Sequence, residues 1–487
     1  MRLALRATLL ALSACGPTGE LAEATAGPDS GSSGTTGDPP APTSEPTTTG
    51  EAMTGGATTG TTVDLTTGST TDATTGTTGG SSTDASSSST GEPAIDCTEL
   101  AIADPVILAE IRKQLEIPEG PISGEAALAV KSLYLNDGPI ATLAGVKCLT
   151  DMHTLQGSGP VSDLGPLAGL KSLVNLALRD SEVTDLGPLV GLPLDTLVLP
   201  RSPLADLGPL AQIPTLDTLV IASTSVQDLT PLTGHPGLES ITADETLPLD
   251  LLPLATIPKL TRLSMEACSL DDVSALAGAT ALQGLYIDDN ALVDLDGLAT
   301  LTQLRSLLAS GNQITSVAPL SGLDKLEDLR LANNKISDLK PLAGATALKT
   351  LIVSSNPLAG LQGLEALPQL DTLTAETAGL KALVTVAPNT LIGLHLNGNQ
   401  INDVTPLAGN QFLGFVHLDD NAITTLAPIQ QAPWVQSHCA NLQVSGNPLD
   451  AATLATTLPA MCDLDMTIAW TQGECAPDGF RCGFSDP

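Results

Sequence analysis

The sequence predicts an α/β solenoid, in which short parallel strands stack along one axis behind a short helix at the N-terminal end. Three observations carry this. An apolar pattern recurs about every 22 residues. Its first positions are Val130, Met152, Leu173, Leu194, Leu216, Leu238, Leu260, Leu282, Leu304, Leu326, Leu348, Leu370, Leu391, Leu413 and, after an insertion, Cys439, which makes fifteen units. Within a unit the Leu-x-Leu alternation, as at Leu329 and Leu331, puts two side chains on one face of a strand. Finally, 42% of the residues are apolar but only 2% are aromatic, which suits the narrow interior of a stacked repeat.

Residues 1–15 have the form of an export signal. Arg2 and Arg6 are basic, and Leu3–Leu12 is an apolar stretch too short to span a bilayer. Leu12-Ser13-Ala14-Cys15 resembles a bacterial lipobox, which implies cleavage before Cys15 and lipidation of its thiol. An ordinary signal peptide with an incidental cysteine is the alternative. Gly16 stands where an Asp is associated with inner-membrane retention, so the resemblance implies the outer membrane or cell surface.

Residues 16–96 are almost wholly Thr, Ser, Gly, Pro, Ala and acids, without a Lys or Arg. Such a segment buries too little apolar surface to offset its ordering entropy and is expected to be a disordered tether. Its root-mean-square span would be about 50 Å. The folded part is expected to begin with a cap over 97–129. There Asp104-Pro105 starts a helix, Leu108, Ile111 and Leu115 recur at helical spacing, and Pro118-Glu119-Gly120 ends it. Repeats follow over 130–450, then a cysteine-containing cap and tail over 451–487.

The pattern LxxLxLxxNxI followed by DLxPLxxL is that of the leucine-rich repeat. Its 22-residue form, with DLGPLAGL at Asp163–Leu170, is similar to the bacterial internalin-like class over roughly residues 97–450. The resemblance implies a right-handed leucine-rich-repeat solenoid with parallel strands on its concave face and a short helical N-terminal cap. The ninth position of each unit turns inward, where backbone groups need partners. Asn290, Asn312, Asn334, Asn356, Asn399, Asn421 and Asn447 supply a donor and an acceptor there and are expected to form a ladder. Ser181, Ser202, Thr224, Thr246, Cys268 and Ala378 occupy the slot elsewhere and offer fewer bonds. Residues 282–450 are therefore expected to be the more stable half.

Cys268 fits a buried ladder thiol. The remaining cysteines beyond Cys15 cluster at the two ends of an exported chain, where disulfides persist. Cys97–Cys148 is the expected bridge at the N-terminal end. Cys439, Cys462, Cys475 and Cys482 allow three pairings, of which Cys439–Cys462 with Cys475–Cys482 is favoured. Their spacings do not resemble a zinc cluster.

The formal net charge of -35, from 54 acidic and 19 basic residues, argues against nucleic-acid partners and against docking on anionic lipid. No nucleophile motif, phosphate loop or HExxH is present, so no enzyme, cofactor or metal is expected. The resemblance points instead to partner binding by strand residues between the leucines: Tyr286, Asp288, Arg305, Arg330, His395, Phe415, His417 and Asp419. His395 and His417 occupy equivalent positions on adjacent strands, close enough to share a pH response, a metal or a partner contact. The expected partner of this monomeric module is a protein, with a glycan as the second class. The membrane is touched only through the lipid. A structural envelope spacer without a specific ligand is the competing role.

Overall fold

The structure, a computed structural model, describes residues 97–246, 250–383, 390–437, 440–464 and 466–475, all within the compact unit Ile95–Pro487. The export signal with Cys15 and the segment 16–96 lie outside the described residues, as do Cys439 and Cys482. No helix among the described residues is long and apolar enough to cross a membrane.

The described residues form one open sheet of seventeen strands, numbered in chain order from β1 (Ser132–Tyr134) to β17 (Gly473–Cys475). Each strand from β1 to β15 pairs in parallel with the next, one rung per repeat. Leu329 of β10 (Asp328–Arg330) lies opposite Leu307 of β9 (Ser306–Leu308) and Leu351 of β11 (Thr350–Ile352). This is the leucine-rich-repeat solenoid, and the register keeps each leucine on the interior side. In the unit from Leu304, the side chains of Leu304, Leu307, Ala309, Ile314, Val317, Leu320 and Leu323 are wholly buried. Each leucine contributes roughly 1.5–3 kcal/mol by leaving water.

The DLGPL motif makes the return turn. Asp163, Asp185 and Asp206 each accept the amide of the residue two places on through Oδ1, at 2.7 Å. Each turn continues as a short 3-10 helix with Pro near its start, such as Gly165–Leu167. The carboxylate satisfies an orphan amide, and proline presets φ.

The ladder is continuous wherever asparagine occupies the slot. Asn290 accepts the amides of Cys268 (3.0 Å) and Leu270 (2.9 Å) and donates to the Met265 and Ile287 carbonyls. Asn312 and Asn334 each bridge two rungs, accepting one amide of the preceding unit and donating to a carbonyl of that unit and of their own. Asn356 and Asn399 also bridge two rungs. Asn421 and Asn447 continue it. In contrast, Ser202 and Thr224 each donate once, to a carbonyl three residues earlier in their own unit. Asparagine cross-links neighbouring rungs, while these hydroxyls do not. Hydrogen exchange should therefore show slower opening over 282–450 than over 173–270; equal or better protection in the earlier segment would contradict the ladder's role.

The residue before the slot carries a constraint with no sequence signature. It adopts a left-handed backbone at Asp180, Arg201, Ser223, Glu245, Ala267, Asp289, Asn333, Ser355, Thr377 and Asp420, with φ between 49 and 56°. Glycine serves at Gly311, Gly398 and Gly446. For Thr377 (φ 49°), a β-branched residue, this conformation is strained.

At the N-terminal end, α1 (Pro105–Leu115) starts at Asp104, whose Oδ1 accepts the amides of Val106 (2.9 Å) and Ile107 (3.3 Å). Its Oδ2 accepts the Ala141 amide at 2.8 Å, so one carboxylate both caps the helix and fastens it to the first repeat. Ile107 and Ile111 fill the interior, and Cys97 is bonded to Cys148.

The C-terminal end departs from expectation. β16 (Thr467–Trp470) adds a sixteenth parallel strand, and β17 folds back antiparallel on it, with Cys475 opposite Ile468. That hairpin brings Cys475 to Cys462, at the end of α2 (Leu458–Cys462), and these two are bonded. The expected bridges Cys439–Cys462 and Cys475–Cys482 are thereby overturned. The repeat pattern ends before this hairpin, so nothing in the sequence marks the return of the chain that brings Cys475 to Cys462.

Candidate binding surface

Outward positions of the strands line up in rows across the rungs. One row runs from Tyr286 of β8 (Gly284–Tyr286) through Leu308 and Arg330 to Ile352, each residue opposite the next. Tyr286, Leu308 and Ile352 are half-buried and Arg330 is exposed. Leu308 and Ile352 were not expected as contacts, because each follows a core leucine and reads as an ordinary strand residue. The doublets Leu307-Leu308 and Leu351-Ile352, which break the apolar–polar alternation, were the available signal. Upstream, Thr196, Val198, Thr218, Val220 and Ser240 occupy the same face and are buried against one another.

Beside this row Glu327 pairs with both Arg305 and Lys349, the latter at 2.7 Å, and Arg330 pairs with Asp328 at 3.2 Å. Hydrogen bonds from Lys349 and Arg305 hold the Glu327 carboxyl below its usual range. These pairs are solvent-exposed, so each contributes at most about 1 kcal/mol; they shape charge more than stability.

Asp244, Glu266 and Asp288 stand at equivalent positions of three successive units and meet the row only at Asp288, two places after Tyr286. Asp244 accepts the Ser264 hydroxyl (2.6 Å) and the Glu266 amide (3.0 Å), and Asp288 accepts the Ser310 amide. Burial raises the carboxyls of Asp244 and Asp288. Glu266, between them, is pushed up to about 7, first by burial and then by Asp244, Asp288 and Asp289. The folded state thus holds a proton on Glu266 that the unfolded chain has released, so this group's contribution to stability falls as pH rises from about 4.5 towards 7. Because Glu266 is half-exposed, solvent screening reduces the effect to about 1–2 kcal/mol. Glu266→Gln is accordingly expected to be about 1–2 kcal/mol more stable than the parent at pH 8 and equal to it at pH 4, as read by urea unfolding. An unchanged difference across that range would contradict the shift.

Further along, His395 of β13 (Gly393–His395) and His417 of β14 (Phe415–His417) are opposite one another. Their Nδ1 atoms are 2.9 Å apart and the rings meet edge-to-face with centroids at 4.5 Å. Phe415 and His417, expected as outward contacts, are only 8% and 9% exposed. Burial raises the Asp419 carboxyl, which accepts the Ser445 amide at 2.6 Å.

Among the described residues no group of three or more His, Cys, Asp or Glu side chains could hold a metal ion. Cys268 is buried in its ladder slot against Thr246, and burial raises its thiol, the opposite of what a nucleophile requires. The surface presents shape, charge and a few apolar anchors.

Comparison with known proteins agrees. A family model for leucine-rich repeats (2 copies) matches residues 302–344. The structure resembles an internalin (inlF) from Listeria monocytogenes, with 27% identity, a TM-score of 0.57, and coverage of 68% of this chain and 94% of that one. It also resembles the functional domain of InlJ from Listeria monocytogenes, which includes a cysteine ladder (20% identity, TM-score 0.52, coverage 74% and 78%). A leucine-rich-repeat protein of Leptospira interrogans shares the fold at 18% identity and TM-score 0.53, with coverage of 71% and 97%. No curated protein sequence matches the chain. The chain thus carries leucine-rich repeats and is similar in structure to the internalins, and no enzyme family is indicated.

Proposed function

We propose that this protein is a non-catalytic, monomeric binding module, displayed at the bacterial envelope by a lipid on Cys15 and the tether 16–96, and that it captures a protein partner on its concave face. The observation that carries the reading is the row Tyr286–Leu308–Arg330–Ile352. It combines tyrosine and arginine, residue types that dominate binding energy, with half-buried aliphatic side chains beside a charged network. The exposed Arg305–Glu327–Lys349 network beside the row, and the Asp244–Glu266–Asp288 carboxylates that reach it at its first strand, would set orientation more than affinity.

The test compares the full chain with Tyr286→Ala/Arg330→Glu, and with Thr184→Lys/Ala205→Lys at exposed positions just before the return turns, for binding to purified envelope and cell-surface proteins. The concave pair should lose at least about tenfold in affinity and the turn pair should not, a difference of about 1.4 kcal/mol or more. Saturable binding that ignores both pairs, or that is removed by glycosidase treatment, would overturn the protein-binding reading; absence of any partner favours the spacer. For the anchor, Cys15→Ala should move the protein from the detergent phase to the aqueous phase. Unchanged partition would remove the lipid.

A further inference from the structure

We propose that the contact between His395 and His417 is a proton-sensitive latch on the concave face, closed while the two rings share a single N–H and opened when both are protonated. The latch stands on geometry alone; its consequence for partner binding rests on the reading above.

A hydrogen bond between two Nδ1 atoms at 2.9 Å requires one N–H and one lone pair. Which ring donates depends on the tautomer. Count the protons in the closed pair. When His417 donates, its Nε2 is bare, and this fits its surroundings, because that atom is buried and has no hydrogen-bond partner. Adding one proton fills both Nε2 positions, whichever ring carries the charge, since one Nδ1 must stay bare to accept. An N–H is then placed at the buried Nε2 of His417 with nothing to receive it. A second proton sets two N–H groups facing each other, and the contact has no bonding arrangement left. Both protons therefore work against the closed geometry, and opening lets His417 turn its Nε2–H to water.

The neighbourhood supplies a destination. Thr374 of β12 (Thr372–Thr374) is opposite His395, and Gln443 of β15 (Asn441–Gln443) is opposite His417. The titratable groups facing the pair are carboxylates: Glu376 beyond Thr374, and Asp419 with Asp420 beyond His417. Asn397 links them, donating to Glu376 at 2.9 Å and accepting the Asp419 amide at 2.8 Å. Asp419 already interacts with His417. In acid the face would exchange an uncharged pair for two imidazolium donors set among three carboxylates, and a partner docked there would see a changed surface. No titratable base other than the two histidines stands in these four strands.

Nitrogen-15 NMR of the full chain, selectively labelled at its 5 histidines, tests this. At pH 7.5 a scalar coupling across Nδ1–H···Nδ1 should connect His395 and His417. Below pH 5 that coupling should vanish, both rings should be doubly protonated, and amides over Gly393–Asp419 should shift together. His395→Gln, at the half-exposed partner, should abolish the concerted amide shift, while His153→Gln should leave it intact. A coupling that persists below pH 5, or a concerted shift that survives in His395→Gln, would overturn the latch. So would the absence of any coupling at pH 7.5. Because none of these readouts involves a partner, they stand whether or not the binding proposal does.

Discussion

Replacing Asn334 with alanine is expected to destabilise the array by about 3 kcal/mol. Asn334 Oδ1 is the acceptor for the Ile314 amide at 2.9 Å, and Nδ2 donates to the carbonyls of Ala309, Leu331 and Ala332 at 2.9, 3.1 and 3.2 Å. Those carbonyls keep other donors: Asn312 reaches Ala309, Asn356 reaches Leu331, and the Gly311 amide reaches Ala332. The Ile314 amide does not, and a buried donor left unmade costs about 1–3 kcal/mol, to which the lost ladder bonds and a small void add. Ser202→Ala, which removes a single bond to the Leu199 carbonyl, is the calibrating variant and should cost about 1 kcal/mol. Equilibrium urea unfolding measures both. Equal losses would mean that the ladder adds nothing beyond a local turn bond.

Removing the Cys97–Cys148 bridge should have an effect of similar size by a different route. The two cysteines are 51 residues apart, so in the chain-entropy account the cross-link restricts the unfolded ensemble by about 4 kcal/mol. The Cys462–Cys475 bridge, with a separation of 13, restricts it by about 3 kcal/mol. Cys97→Ala/Cys148→Ala is therefore expected to lower the unfolding midpoint more than Cys462→Ala/Cys475→Ala does. It should also speed exchange in α1, since Asp104 would then be the main tie between helix and first repeat. If the C-terminal pair proves the more costly, the entropic account fails here and strain or lost packing governs.

What the sequence made legible follows from what each feature requires. The leucine spacing and the asparagine slot are read easily because one local demand, burial or bonding of backbone, is answered by one residue type in unit after unit. Asp104 was legible for the same reason, as a cap before proline. The left-handed residue ahead of the slot was not, because Asp, Arg, Ser, Glu, Ala and Thr all fill it; the backbone is set by the turn, and no side chain announces it. The β16–β17 hairpin was missed because the period has ended there, and with it the true partner of Cys462. On the concave face the opposite error occurred. Alternation alone sends Phe415 and His417 outward, yet lateral packing of neighbouring rungs covers them, while Leu308 and Ile352 contribute apolar surface at positions where a polar residue would be ordinary. Burial on this face depends on what stands on the adjacent rungs, information spread over 22-residue intervals.

The most direct test of a concave recognition surface is site-specific photo-cross-linking of the full chain at the cell surface. A photoreactive residue would replace Tyr286 or Arg330 on the face, and the exposed Thr184 or Ala205 just before the return turns. The account predicts one discrete protein adduct from both concave positions and none from the turn positions. Adducts formed equally from all four, or only from Thr184 and Ala205, would contradict it.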